Sequence, residues 1–543
     1  SFVVGFGLPF SVTEHPLFTD IIKQMRPDLA KGILPSDWFN TQGLQEVYYG
    51  TRSKIEQAMS SNLLRQHVSL QSITFKTISG LNVLTFTECQ DGRVVYKDTV
   101  AIGDSEDEDT YVSLYAGQLA TRKNAKWCAL VVKDTLYLSG VLSDLEAKFK
   151  GIQCYGCAAY QLEQLCEDYV NIFQETLADA RFVVTFVLTN RGLLSLYKRV
   201  QSRFASKMHL ELASTALQIA GMLKRLLSNQ SQLRALLGDQ KWKEYTRSAQ
   251  GPNQADASRF ASLVGSKQFW QRVDSTGKLL SLVTSCVEFM NSPSARVSHV
   301  YLVFDELLQD IKYWDTKHAP RAAPKLALKP CEKRWLGLAQ QNGLFHPVHL
   351  ATLLLDPCMT IHCKTLPQHT MRAMKRLFSQ YTASDQELSN LMEAFQLYHA
   401  RGGVYLDPFQ ECDARALTKY SELKESFLAD EGLSDFICLS HPAILKCKAA
   451  GDPVAWWNIH GHDPSLKSVA MRILSAQPVA SCASQSSLIG RMLQHVPNEK
   501  TLDHERVKML LYSKINLQLL NRTSLKADDM TEDALMRAVI AAT

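Results

Sequence analysis

At 543 residues, 46% hydrophobic and 21% charged, the chain has the make-up of an ordinary globular protein, too long for one small core, and two to four domains are expected. A total of 59 Lys and Arg against 54 Asp and Glu leaves a net charge of +5, which permits contact with nucleic acid without requiring it. No apolar run approaches ~20 residues, which argues against a helical membrane span; the 13 cysteines follow no regular framework and nothing at the start resembles a signal peptide, so reduced thiols in an intracellular compartment are expected.

In chain order, helical spacing covers residues 16–25 and 40–59, after an opening Gly5-Phe6-Gly7-Leu8-Pro9-Phe10. Strands are expected over 69–75, 81–88 and 93–102, with turns at Gly80-Leu81-Asn82 and Gln90-Asp91-Gly92. The acidic run 104–109 reads as a solvated loop leading into a helix that ends near Leu119, its carboxylates placed favourably for the helix dipole. Residues 128–132 are almost wholly apolar and end in Lys133-Asp134, as a buried central strand does when it delivers a carboxylate to the rim of a sheet. Leu138, Val141, Leu142, Leu145 and Phe149 then predict a helix, 152–155 a short strand, and Ala158, Leu162, Leu165, Tyr169 and Ile172 a second helix.

From about 182 to 451 the pattern is almost entirely helical. Helices are predicted over 183–196, 210–227, 233–245, 269–290 and 298–313, and further helical sets over 371–399 and 413–429. Residues 248–258 read as an exposed loop and 317–330 as a basic, proline-punctuated connector. After Asp452-Pro453-Val454-Ala455-Trp456-Trp457 come Pro464-Ser465-Leu466, Val469-Ala470, Leu474, Gln477-Pro478 and Ser481-Cys482-Ala483-Ser484, then a helix over 505–520 and a polar tail over 521–543.

Three antiparallel strands, a helix, then strand, helix, strand, helix is the element order of an RNase H-like fold. The phrases themselves resemble the hAT-superfamily (hobo, Activator, Tam) transposases. Val131-Val132-Lys133-Asp134-Thr135 and Gly156-Cys157-Ala158-Ala159-Tyr160-Gln161-Leu162 resemble the family's VVTDN and GCAAHxLNLL. Leu353-Leu354-Leu355-Asp356-Pro357 resembles its hLLDP, and 452–520 its C-terminal DPxxWW, PxLxxhA and SxxSER phrases. The resemblance implies an α/β fold with a large all-α insertion, an RNase H-like mixed sheet interrupted by a helical domain and completed by C-terminal helices. It divides the chain into a helical lead-in (1–68), the first part of the core (69–180), the insertion (181–451), a C-terminal dimerisation region completing the core (452–520) and the tail (521–543). Trp456, Trp457, Pro464, Leu466, Leu474, Leu510, Leu511 and Asn516 fall on that region's core and dimerisation positions. Family members often carry a BED zinc finger upstream; the first cysteine here is Cys89, so such a finger is either lost or precedes Ser1.

A two-metal DNA transferase needs three carboxylates at one end of its sheet, because hard cations need anionic oxygen ligands. Carried over position by position, the first family acid falls on Ile73, the second on Asp134 and the third on Gln485, while the family histidine becomes Tyr160. The Thr-Arg-Trp landmark falls near Thr215-Ala216-Leu217, without its tryptophan. One acid of three survives. The expectation is therefore a transposase-derived, catalytically inactive protein that forms homodimers, with DNA or chromatin as a partner and no membrane or small-molecule substrate. No cofactor is expected, Mg2+ or Mn2+ at Asp134 applying only to an active form; the family implies a nuclear location, with cytoplasmic as the alternative.

The competing reading is an active metal-dependent transposase or nuclease that joins Asp134 to Glu88, Asp168 or Glu163. A third is an interaction scaffold, which asks for an exposed apolar patch on the helical insertion. Cys154-x-x-Cys157 lacks a second pair and reads as core thiols rather than zinc ligands. His346, His349, Cys358, His362 and Cys363 lie close in sequence but at no established zinc spacing. Lys198, Arg199, Arg203 and Lys207, and the connector over 317–334, could touch phosphate or simply be solvated, and no interleaved aromatics suggest base stacking.

Overall fold

The computed structural model describes residues 15–25, 38, 42–60, 67–76, 82–90, 93–103, 107–121, 126–133, 138–204, 208–248, 251–320, 323–338, 341–359, 368–401, 403–429, 442–480, 505–506, 508–513 and 516–517. The chain folds as two compact units. One comprises residues 1–134, 140–155 and 475–543, and the other 135–139 and 156–474.

The first unit holds α1 (Pro16–Met25), α2 (Leu44–Ser60), β1 (His67–Lys76), β2 (Asn82–Gln90), β3 (Arg93–Ile102), α3 (Glu108–Ala120), β4 (Lys126–Val132), α4 (Ser139–Lys148) and β5 (Gln153–Gly156). The strands form one mixed sheet in the order β3-β2-β1-β4-β5. β1 runs antiparallel to β2 and parallel to β4, and β2 runs antiparallel to β3. Six of the seven residues of β4 are buried, as its apolar run requires of a central strand covered on both faces. α3 covers one face: Tyr115 packs edge-on against Phe86, its hydroxyl meets that of Ser72 at 2.7 Å, and Trp127 Nε1 donates to Leu119 O. Asp107 starts this helix by accepting from the Thr110 amide (2.9 Å) and hydroxyl (2.6 Å), bonds that hold its carboxyl below the usual range.

Among its described residues the second unit is helical apart from the two-residue strands β6 (Gly337–Leu338) and β7 (Gln341–Asn342). Its helices are α5 (Ala158–Ile172), α6 (Gln174–Thr189), α7 (Arg191–Gln201), α8 (Ala216–Ser228), α9 (Gln230–Gly238), α10 (Gln240–Ser248), α11 (Pro252–Gly265), α12 (Lys267–Met290), α13 (Val297–His318) and α14 (Leu328–Leu336). They continue as α15 (Pro347–Leu355), α16 (Gln368–Phe378), α17 (Asp385–His399), α18 (Leu406–Ala429), α19 (Pro442–Ala449), α20 (Pro453–His460) and α21 (Pro464–Leu474). α5 buries Ala158, Leu162, Leu165 and Tyr169, the stripe its spacing predicts, and packs on α8, α12 and α14. α15 lies against α13, α16 and α21. No helix of the described residues is long and apolar enough to cross a membrane.

Several predicted helices are pairs. The run over 183–196 is broken at Asn190, whose side chain accepts from the Leu193 amide (3.1 Å) and so starts α7. The run over 233–245 is broken at Asp239, whose carboxylate accepts from the Lys241 amide (2.9 Å). The set over 371–399 is divided in the same way by Ser384, which accepts from the Glu387 amide. Residues 248–258, expected as a loop, turn at Gly251 (φ +58°) and enter α11; that positive φ is one only glycine adopts without strain. The helix expected from 210 begins only at Ala216. The boundary between the units falls between Leu474 and Ser475, inside the 452–520 region, and α5 lies in the helical unit rather than with the strands.

Candidate functional site

Ile73 lies on β1 opposite Thr85 of β2 and is buried. On its other side β1 pairs with β4, Ser72 opposite Val132, and the Lys133 amide donates to Ser72 O at 3.1 Å. The ladder between the two parallel strands thus closes at Ser72, one residue before Ile73. Asp134 follows Lys133 in the sequence but, like Gln485, lies outside the described residues.

The face of β1 that carries Ile73 also carries Gln71, two residues away. Gln71 Nε2 donates to Val479 O (3.0 Å) and its Oε1 accepts from Thr87 (3.2 Å), while Tyr155 on β5 donates its hydroxyl to Gln477 O (2.8 Å). Gln477 and Val479 are tied to the sheet by these bonds. Beside them Thr85 and Thr99 share a hydrogen bond (3.2 Å), and the Tyr96 hydroxyl joins Thr99. The network is made of amides and hydroxyls, and none of its members carries charge.

The acids considered as replacements have partners of their own. Glu88 is buried and pairs with Lys97 Nζ at 2.7 Å, and the same ammonium donates to Gln118 O. Asp168 receives both Nε and Nη2 of Arg334, at 2.8 and 3.0 Å. Glu163 sits close enough to Cys166 to help burial raise that thiol. Among the described residues no group of three or more His, Cys, Asp or Glu side chains is placed to hold a metal ion. Tyr160, in the first turn of α5, is partly exposed, and Cys157 stands at that helix's N-cap. Cys154 is a buried thiol pushed well up by burial, and its amide donates to Glu146.

In the helical unit the two family-like phrases meet. The carbonyl of Leu355, at the C-terminal end of α15, accepts from Trp457 Nε1 (2.7 Å) and from the Tyr398 hydroxyl (3.0 Å). Two side chains from distant segments thereby satisfy a carbonyl with no partner inside its helix. The ring of Trp457 lies 4.7 Å from that of Tyr398, and Trp456 extends the cluster onto Phe409 at 5.4 Å. Leu466 and Leu474 are buried while Pro464 is exposed. In the first unit, Leu511 and Asn516 are buried and Leu510 is half-buried.

Next to Leu355, Asp356 is fully buried, accepting from Ser298 Oγ (2.7 Å) and from the Cys358 amide (3.0 Å). Burial pushes its carboxyl up to about 6 against the pull of the Ser298 bond. The Cys412 and Cys358 thiols are hydrogen-bonded to each other, which raises Cys412 and lowers Cys358, and Cys358 also accepts from the Gly451 amide at 3.4 Å. His346 and His349 are helix-starting residues rather than a metal pair: the His346 amide donates to His349 Nδ1 and the Val348 amide to His346 Nδ1, each at 3.2 Å. His299 repeats the device on α13, accepting from the Arg296 amide at 3.2 Å. His362 and Cys363 lie outside the described residues. Sequence reasoning passed over Ser298, His299, Tyr398 and Cys412; only His299 had a local signal, its place three residues into a helix after a polar residue.

Among known protein families none has a sequence model that matches this chain, and no curated protein matches it.

Proposed function

We propose that this protein is derived from a hAT-type transposase, keeps its RNase H-like scaffold and helical insertion, and works as a homodimerising, DNA-associated protein rather than as a DNA transferase. The observation that carries the reading is Ile73. It is an apolar, buried side chain beside the end of β4, where a two-metal centre requires a carboxylate. The strand order β3-β2-β1-β4-β5 with β1 parallel to β4, and the tethering of residues 477–479 to Gln71 and Tyr155, support the alignment of Ile73 with the first family acid.

The test is nicking of supercoiled plasmid in Mn2+, comparing the purified chain with Asp134→Asn. Neither protein is expected to cleave above background. Cleavage that disappears in the variant would restore the transferase reading. Sedimentation equilibrium at micromolar protein tests the other half, with a dimer expected and a monomer removing the dimerisation claim.

A protein-interaction role is the second reading. Leu397, Val404 and Leu406, on successive elements from α17 to α18, are each about half exposed.

A further inference from the structure

Charge is distributed unevenly along this chain. Residues 191–247 hold 11 Lys and Arg against 3 Asp and Glu, a net of +8, whereas the whole chain carries +5. This segment spans α7 to α10, and α7, α9 and α10 pack on one another. Two of the three acids are already engaged: Arg225 pairs with Glu211, and both Asp239 oxygens are taken by Arg199 Nη2 at 2.9–3.0 Å.

Asp239 marks the corner where the end of α7 meets the junction of α9 and α10. Arg199, on α7, contacts its carboxylate, and Arg203, just past that helix, adds to Arg199 in lowering it after the Lys241 amide bond. Lys198, Arg203, Lys241 and Lys243 are exposed around it. Five cations thus lie on or just beyond these short helices, with Asp239 and the exposed Glu244 as the acids among them. The apolar sides of the same helices point inward, with Leu196, Val200, Leu233 and Trp242 all buried. A surface that entered a lipid bilayer would interleave exposed apolar side chains with its cations, and this one does not.

We propose that the corner formed by α7, α9 and α10 binds the phosphate backbone of duplex nucleic acid without reading its bases. Fixed cations release condensed counterions when they neutralise phosphates, and that gain is independent of sequence and strongly dependent on salt. With Trp242 buried, the corner offers no aromatic platform for unpaired bases. The proposal deepens the DNA-association part of the reading above by giving it a surface. It does not depend on the lost acids, so a nicking-competent or monomeric protein would overturn that reading and leave this one standing.

The experiment is fluorescence anisotropy of a labelled random-sequence duplex with the full chain across a KCl series. It compares wild type with the combined variant Lys198→Gln, Arg203→Gln, Lys241→Gln and Lys243→Gln. The variant is expected to lose about tenfold or more in affinity at low salt, and its log K against log[KCl] slope should flatten by roughly 0.9 for each phosphate no longer neutralised. A control variant neutralises Lys54, Lys312, Lys375 and Lys419, exposed lysines outside this segment. Equal loss in the control overturns the proposal, as does wild-type protein that fails to bind. Tighter binding to phosphatidylserine vesicles than to the duplex also overturns it. Acetylation of wild-type protein, read by mass spectrometry, tests the surface with no substitution: the duplex should protect Lys241 and Lys243, and unchanged labelling at both overturns the assignment.

Discussion

The side-chain amide of Asn516 pairs with the backbone of Tyr96 as a neighbouring strand would. The Tyr96 amide donates to Asn516 Oδ1 at 2.9 Å, and Asn516 Nδ2 donates to Tyr96 O at 3.0 Å. β3 is the outer strand of the sheet, and the two groups of Tyr96 face away from β2 beside a bulge between Phe86 and Thr87. An unpaired outer strand is a template for association with other chains, and here one fully buried asparagine closes it. Lys508 supports the arrangement through a 2.6 Å ion pair with Asp98, and Tyr512 packs its ring edge-on to Tyr96.

Asn516→Ala should therefore destabilise the sheet-containing unit by about 1–3 kcal/mol, since it leaves a buried donor and acceptor without partners. Asn516→Asp keeps the shape but replaces the donor with an acceptor facing Tyr96 O, and should cost at least as much. Urea unfolding followed by tyrosine fluorescence reads both. A loss below about 0.5 kcal/mol in either variant would mean that the amide pairing is dispensable.

Acidification should destabilise the helical unit. Burial lowers His299 to about 3 and His349 well below its usual value, so both are neutral when folded and gain protons only on unfolding. Their contribution is present above pH 6.5 and is lost as pH falls through that value, by about 2 kcal/mol for His299 between pH 6.5 and 5. Asp356 works in the opposite sense: its raised carboxyl favours the folded state below about pH 4, and that advantage disappears as pH rises through 6. Two histidines outweigh one aspartate, so the urea midpoint should drop from pH 7 to pH 5. Replacing both histidines with glutamine keeps an acceptor for the Arg296 and His346 amides, and should shrink or reverse that drop. An unchanged pH dependence in the double variant would remove the histidines from the account.

Trp457 and Tyr398 share one acceptor, and sharing should be visible as coupling. Trp457→Phe and Tyr398→Phe each leave the other donor on Leu355 O and should cost about 1 kcal/mol apiece. Together they strip the helix end of both donors, so the combined loss should exceed the sum by about 1 kcal/mol. Additive losses in this double-mutant cycle would show that the carbonyl finds another partner.

Much of the element order was legible from local pattern. The strand at Lys126–Val132 and the helix at Ala158–Ile172 lie where apolar runs and three-and-four spacing put them. Asn190, Asp239 and Ser384 were passed over because apolar periodicity continues across each of them. A capping side chain interrupts a helix without interrupting its hydrophobic stripe. The same locality hid the bonds to the Leu355 carbonyl, since nothing near Leu355 specifies a hydroxyl 43 residues away or an indole 102 residues away.

Residue order alone was enough to place the five strands of the sheet and the helices between them, though not the helix breaks at Asn190, Asp239 and Ser384 or the helix at Pro252–Gly265. It was also enough to show that position 73, which the resemblance aligns with a carboxylate, is an isoleucine. The folded chain was needed to learn that Gln71 holds Val479, that Asn516 closes the strand at Tyr96, and that Arg199 meets Asp239. Periodicity records how each segment meets an apolar interior, whereas a hydrogen bond or ion pair needs two particular groups brought within about 3 Å. Across 408 or 420 intervening residues that meeting is set by the packing of the whole chain.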